Sequence, residues 1–130
     1  MKEFENNALF WQKVDSLFLS GTKTLMKKKG EHHDTYNNLV YPVDYSRIVD
    51  MKSPSAHGVA VYMGSGNRNS VTGLIVAADI LDKELDVKLL AGCTDEEIED
   101  VLRYLNQTEF QKTIVIRRNS VVPEWAQGDN

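Results

Sequence analysis

Two short apolar runs constrain the fold of this chain more than anything else in it. GVAVYM, residues 58–63, and VTGLIVAA, residues 71–78, are rich in valine and flank the glycine-rich stretch GSGNRN. Each is too short for a buried helix, and each is bounded by turn residues, so both read as β-strands. The stretch between them reads as the loop of a hairpin, longer than the tightest type. Gly64-Ser65-Gly66 lacks the Lys-Ser/Thr of a phosphate-gripping loop, and a turn accounts for it.

The remaining elements follow from spacing. Phe10, Trp11, Val14, Leu17 and Phe18 recur at helical intervals, which predicts an amphipathic helix over 7–19 ended by Ser20-Gly21. Thr94-Asp95-Glu96-Glu97 is a capping box, and Ile98, Val101, Leu102 and Leu105 then mark one face of a helix over 94–106. Strands are expected at 22–26, 86–90 and 113–117. LVYPVDY, residues 39–45, is broken by Pro42 and suits an edge or bend, and 46–57 reads as a loop. The tail VVPEWAQGDN reads as loose. Strands with a helix near each end make an α+β domain, the strands curling into a small barrel. Residues 1–130 form one domain.

Composition narrows the classes of function. The chain has 130 residues, of which 42% are hydrophobic and 26% charged, enough to bury a core without disulfides. The single cysteine, Cys93, excludes a disulfide framework or a cysteine-based zinc site and fits a cytoplasmic location. A net charge of −4 gives nucleic acid no electrostatic foothold. No apolar run approaches the ~20 residues a membrane span needs.

Two segments carry a resemblance. Tyr41-Pro42-Val43-Asp44-Tyr45 is followed, ten residues on from Tyr45, by Ser55 and the stretch SAHGVAVYM; later comes DKELDVKLL, with Asp82, Asp86 and Lys88. In order and spacing, residues 22–92 resemble the soluble (family I) inorganic pyrophosphatases, as a short divergent relative. The resemblance implies a five-stranded OB-like β-barrel with flanking helices. It implies hydrolysis of pyrophosphate by Mg²⁺ ions held on carboxylates, with lysines, arginines and tyrosines holding the phosphate oxygens. The family's C-terminal Tyr-Lys pair has no clear counterpart, and Tyr45 is followed by Ser46 where the family has glycine.

The family's three metal-binding aspartates fall on Ser55, His57 and Ala60. Serine is a weak neutral ligand, histidine suits Zn²⁺ or Mn²⁺ better than Mg²⁺, and alanine cannot coordinate. The expectation is a catalytically impaired member that binds pyrophosphate or another phosphate-containing small molecule. The phosphate-binding candidates are Lys27, Lys29, Tyr45 and Lys88. Lys27 to Lys29 also read as a solvated basic surface, and Asp86 with Lys88 as a surface ion pair on one strand face.

Two alternatives stay open. One is a phosphoanhydride hydrolase with a rearranged site, in which Asp82, Asp86 and His57 hold Mg²⁺, Mn²⁺ or Zn²⁺; His32 and His33 are further, weaker metal candidates. The other is a non-enzymatic oligomeric or interaction protein. A homo-oligomer is expected throughout, because oligomers are common among the relatives. Cys93, just before a helix start, reads as a packed, inert thiol.

Overall fold

The computed structural model describes residues 4–53, 57–122 and 126. Ser55 and most of the VVPEWAQGDN tail lie outside the described residues. The elements run α1 (Ala8–Ser20), β1 (Lys23–Lys27), β2 (Asp44–Ile48), β3 (Val59–Met63), β4 (Val71–Asp79), β5 (Glu84–Ala91), α2 (Asp95–Leu105) and β6 (Gln111–Arg117).

All six strands join one sheet in the order β1-β2-β3-β5-β4-β6. Neighbours are antiparallel except β3 and β5, which run parallel. The fold is α+β, as expected, but the sheet is open and does not close into a five-stranded barrel. Its two edges are partly occupied. At β6, Asn106 accepts the N–H of Thr113 and Asn6 donates to the carbonyl of Arg117. At β1, a bulge between Leu25 and Lys27 and the flanking lysines discourage further pairing.

The expected hairpin between the two valine-rich runs does not form, because β5 lies between them. Residues 64–70 instead pass over the end of β5: Gly64 and Gly66 donate to the carbonyls of Ala91 and Gly92, and Gly92 donates to Ser70. The true hairpin joins β4 to β5 across Ile80–Lys83. A turn-rich connector is equally suited to a tight reversal and to stepping over one strand, so local sequence did not distinguish them.

The second difference is β2, in the middle of which the loop over 46–57 was expected to begin. DYSRI shows no apolar alternation, because its two faces serve different purposes. Ser46 and Ile48 are buried toward α1, while Tyr45 and Arg47 face the α2 side.

The sheet separates two cores. Trp11, Val14 and Phe18 of α1 pack on Ile48, Val59, Val61, Leu74 and Leu89. Ile98, Val101, Tyr104 and Leu105 of α2 pack on the opposite face, against Tyr62, Ile75 and Leu90. Alternation along each strand sends successive side chains to different helices. Burying side chains of this size contributes roughly 1.5–3 kcal/mol each, before the entropy of ordering is subtracted.

Caps fix where the helices begin. The Asn7 carboxamide oxygen accepts from the N–H of Leu9 at 2.9 Å. The Thr94 capping box forms as the sequence expects, and Glu97 also takes the Ser65 N–H and hydroxyl, tying the crossing loop to α2. Among the described residues, no helix is long and apolar enough to cross a membrane.

Candidate functional site

On the α2 face a hollow opens beside the helix. Its floor is a cross-strand row. Arg47 of β2 pairs with Ala60 of β3, and one step from the Val61–Leu89 partners, Lys88 of β5 continues the row. With strands ~4.8 Å apart, the two cationic residues stand about 10 Å apart at the backbone, with only a methyl group between them. Ala60 itself is 2% exposed and packs into the core on this face.

Tyrosines wall the hollow. The chain has five, and all five gather here. Tyr45 and Tyr62 are cross-strand partners with ring centroids 5.3 Å apart. Tyr41 stacks on Tyr45 at 5.3 Å and leans on Tyr104 of α2 at 5.1 Å. Tyr36 stands against Phe110.

Tyr36 and Tyr41 are delivered by residues 28–43, which fold back on themselves through the His32–Val40 bridge. Gly30 donates to Tyr41 and Leu39 donates to Tyr36 along this excursion. Burial raises the pKa of Tyr45, Tyr62 and Tyr104, so these side chains remain phenols with a proton to donate.

The cavity holds about 670 Å³. An adjoining hollow of about 590 Å³ shares Tyr41, Tyr45, Arg47, His33 and His57 with it and adds Lys27 at the β1 end. Arg47 lies over the Tyr45 ring at 5.5 Å and reaches the Gly58 carbonyl at 3.4 Å. Lys88 and Asp86 alternate on β5 and share a face, as their spacing predicts. They are not a surface pair, however, since their side chains are only 13% and 12% exposed. The Lys88 ammonium donates to Asp86 Oδ2 at 3.4 Å, and Asp86 Oδ1 is closed off without a hydrogen-bond partner.

Several residues singled out in the sequence converge here. Tyr45, Lys88, Asp82, Asp86 and His57 line the larger cavity, and Lys27 lines the adjoining one. Lys27 is held by Asp34 at 2.7 Å. Lys29 is not part of the site: it is exposed, and its backbone N–H donates to Asp44.

The histidines of the EHHD loop are engaged by that loop. His32 Nδ1 meets the Asn37 carbonyl at 2.6 Å, and His33 Nδ1 accepts from the N–H groups of Thr35 and Tyr36. Among the described residues, no group of three or more His, Cys, Asp or Glu side chains is arranged to hold a metal ion.

Sequence reasoning missed Arg47, Tyr36, Tyr41, Tyr62 and Tyr104 as site residues. The usable signal was that tyrosine outnumbers tryptophan, five to two, and that Tyr45 and Tyr62 each fall at alternate positions of a strand. Cys93 is buried and donates to the Tyr62 carbonyl at 3.4 Å. Burial and the nearby Glu97 push its thiol up to about 12, so it is no nucleophile.

Chemically, the arrangement offers aromatic faces that can stack, phenols that can donate, and two cationic side chains, Arg47 and Lys88, the latter paired with Asp86, with Asp79, Asp82 and Glu84 also in the lining. Set against known proteins, the chain matches no family model, no curated protein and no solved structure.

Proposed function

We propose that this chain is a small-molecule binding protein whose ligand joins a flat ring to a phosphate or similar anionic group. The observation that carries this reading is the floor of the tyrosine cavity, where Arg47 and Lys88 stand on either side of Ala60. The ring stacks on Tyr45 and Tyr62, and the anion takes charge-assisted hydrogen bonds from Arg47 and Lys88. Each such bond contributes about 1.5–3 kcal/mol and each ring contact about 0.5–1.5 kcal/mol. After the ordering cost of association, that corresponds to affinities in roughly the micromolar to millimolar range.

Phosphate as the anion is also what the likeness to soluble pyrophosphatases implies; of the residues that likeness singles out for phosphate, Tyr45 and Lys88 line this cavity and Lys27 lines the adjoining hollow. The family's barrel has no part in this reading. Calorimetric titration with phenyl phosphate, adenosine monophosphate and inorganic pyrophosphate tests it. Phenyl phosphate and the nucleotide are expected to saturate, with affinity falling about tenfold in Arg47→Ala. Equal binding of ring-free pyrophosphate, or no binding of any of the three, contradicts it.

A second reading has one observation in its favour: Asp82, Asp86 and His57 line the same cavity. It makes the chain a phosphoanhydride hydrolase that recruits Mg²⁺, Mn²⁺ or Zn²⁺ with its substrate. Metal-dependent phosphate release from pyrophosphate, lost in Asp86→Asn, is its signature.

A further inference from the structure

The sheet face that carries α1 is only half covered. Trp11, Val14 and Phe18 share one core with Val71, Leu74, Leu89 and Ala91, at the end where β4 begins and β5 finishes. Beyond them the same face continues as two cross-strand rows, Ile114–Val76–Val87 and Lys112–Ala78–Leu85. Alternation from Leu74 and Leu89 places all six on the α1 side. Ile114 is 64% exposed and Leu85 69%, and Ile80, two residues past Ala78, is 78% exposed.

α1 borders this bare half with an apolar flank of its own. Arg118 bonds both Asp15 and the Val71 carbonyl, so the Asp15 side of the helix looks to the start of β4. At about 100° per residue, Phe10 and Leu17 lie about 140° and 160° around the helix from Asp15. They therefore look toward the later residues of β4, and both are about half exposed. The profile is a step: a helix about 10 Å thick on one half of the sheet, bare strands on the other, and apolar side chains on both.

We propose that two copies of this chain associate through this step about a two-fold axis, bare strands against bare strands. Shape argues for a second copy as the occupant. Facing sheets pack about 10 Å apart, which is also the thickness of the helix layer. When two such steps interlock, the β4–β5 end of each sheet, with Leu85 and Ile80, comes against Phe10 and Leu17 of the other copy. The contact uses the same patch on both copies, so it closes at two.

Area agrees with this. Phe10, Leu17, Ile80, Leu85, Val87 and Ile114 leave about 600 Å² to water, at the top of the range for the largest apolar patch on a monomer. A standard interface takes about 800 Å² from each partner, of which about two-thirds is apolar in homodimers. The six residues supply that share. Charge is sparse, as at an interface core: the two bare rows hold a single charged residue, Lys112, whose ammonium donates to the carbonyls of Asn106 and Thr108. The tyrosine cavity lies on the other face of the sheet and stays open in the pair.

Sedimentation equilibrium on the full chain over about 5–200 µM tests this, a span suited to an interface of standard size. The mass is expected to approach twice 14.7 kDa and rise no further. Leu85→Arg should hold the chain at 14.7 kDa throughout, with its far-UV spectrum unchanged. Leu17→Lys, on the other wall of the step, should do the same, so the outcome does not hang on one variant. Leu25→Arg, at a half-exposed residue of the edge strand β1, should leave the pair intact.

A parent chain that stays at 14.7 kDa across the range overturns the inference, and so does a mass that climbs past two copies. A dimer that survives both Leu85→Arg and Leu17→Lys, or that Leu25→Arg disrupts equally, assembles through another face and overturns it too.

Discussion

Arg118 grips Asp15 across 103 residues of chain, its two terminal nitrogens donating to the two carboxylate oxygens at 2.8 and 2.7 Å. The same guanidinium bonds the Val71 carbonyl and lies 5.9 Å from the Trp11 ring, so it fastens the chain after β6 onto α1. The Arg118 hydrogen bond holds the Asp15 carboxyl below its ordinary value. A carboxylate depressed in the folded state contributes stability that is whole above its unfolded pKa and fades as the pH falls through the folded one. Asp15→Asn is therefore expected to cost about 1 kcal/mol at pH 7 and progressively less below about pH 4, read from urea melts at both pH values.

Cys93 gives a second prediction. Its thiol is 7% exposed and pushed up to about 12. Native protein at pH 8 should leave it unlabelled by iodoacetamide over hours, while the urea-unfolded chain should label within minutes. Fast labelling of the native chain would contradict the packing around Tyr62.

The buried pair on β5 makes a third. Lys88→Met leaves the Asp86 carboxylate largely buried beside an apolar side chain, which should destabilise the fold by about 1–3 kcal/mol. Replacing both residues, Lys88→Met with Asp86→Leu, should recover most of that loss. A double-mutant cycle by chemical denaturation reads the coupling.

Gly58 supplies a fourth. Its φ is +86°, and a Cβ there would run into the Ile48 carbonyl oxygen. Gly58→Ala should cost about 2–4 kcal/mol, above the ordinary range for a surface substitution. Because the Gly58 carbonyl also receives Arg47, the same change should weaken anion binding in any fraction that remains folded. Thermal melts and phenyl phosphate titration check the two effects separately.

What the sequence made legible was local. The Thr94–Glu97 box and the Ile98, Val101 and Leu105 stripe announce α2 because capping and amphipathicity are read over a few residues. Trp11, Val14 and Phe18 likewise mark the buried face of α1, although Phe10 and Leu17 from the same pattern end half-exposed.

The insertion of β5 between β3 and β4 was hidden, because strand order depends on pairings distant in sequence. β2 was hidden for a different reason: its inward-facing residues include Ser46 on one side and Arg47 on the other, so binary patterning fails there. Part of the site was legible through Tyr45, Asp82, Asp86 and Lys88, whose spacing drew attention to them. The gathering of Tyr36, Tyr41, Tyr62 and Tyr104 was not, because they come from a loop, a strand and a helix that meet only in the folded chain.

The proposed reading is that the tyrosine cavity binds a ring-bearing anion. The most direct measurement is an aromatic NMR titration of the full chain with phenyl phosphate, following the tyrosine ring signals alongside the indole N–H of Trp11 on the opposite face. Saturable shifts at Tyr45, Tyr62 and Tyr104, with Trp11 unmoved and the response lost in Arg47→Ala, are what this account predicts. Tyrosine signals that stay still, or shifts centred on Trp11, would contradict it.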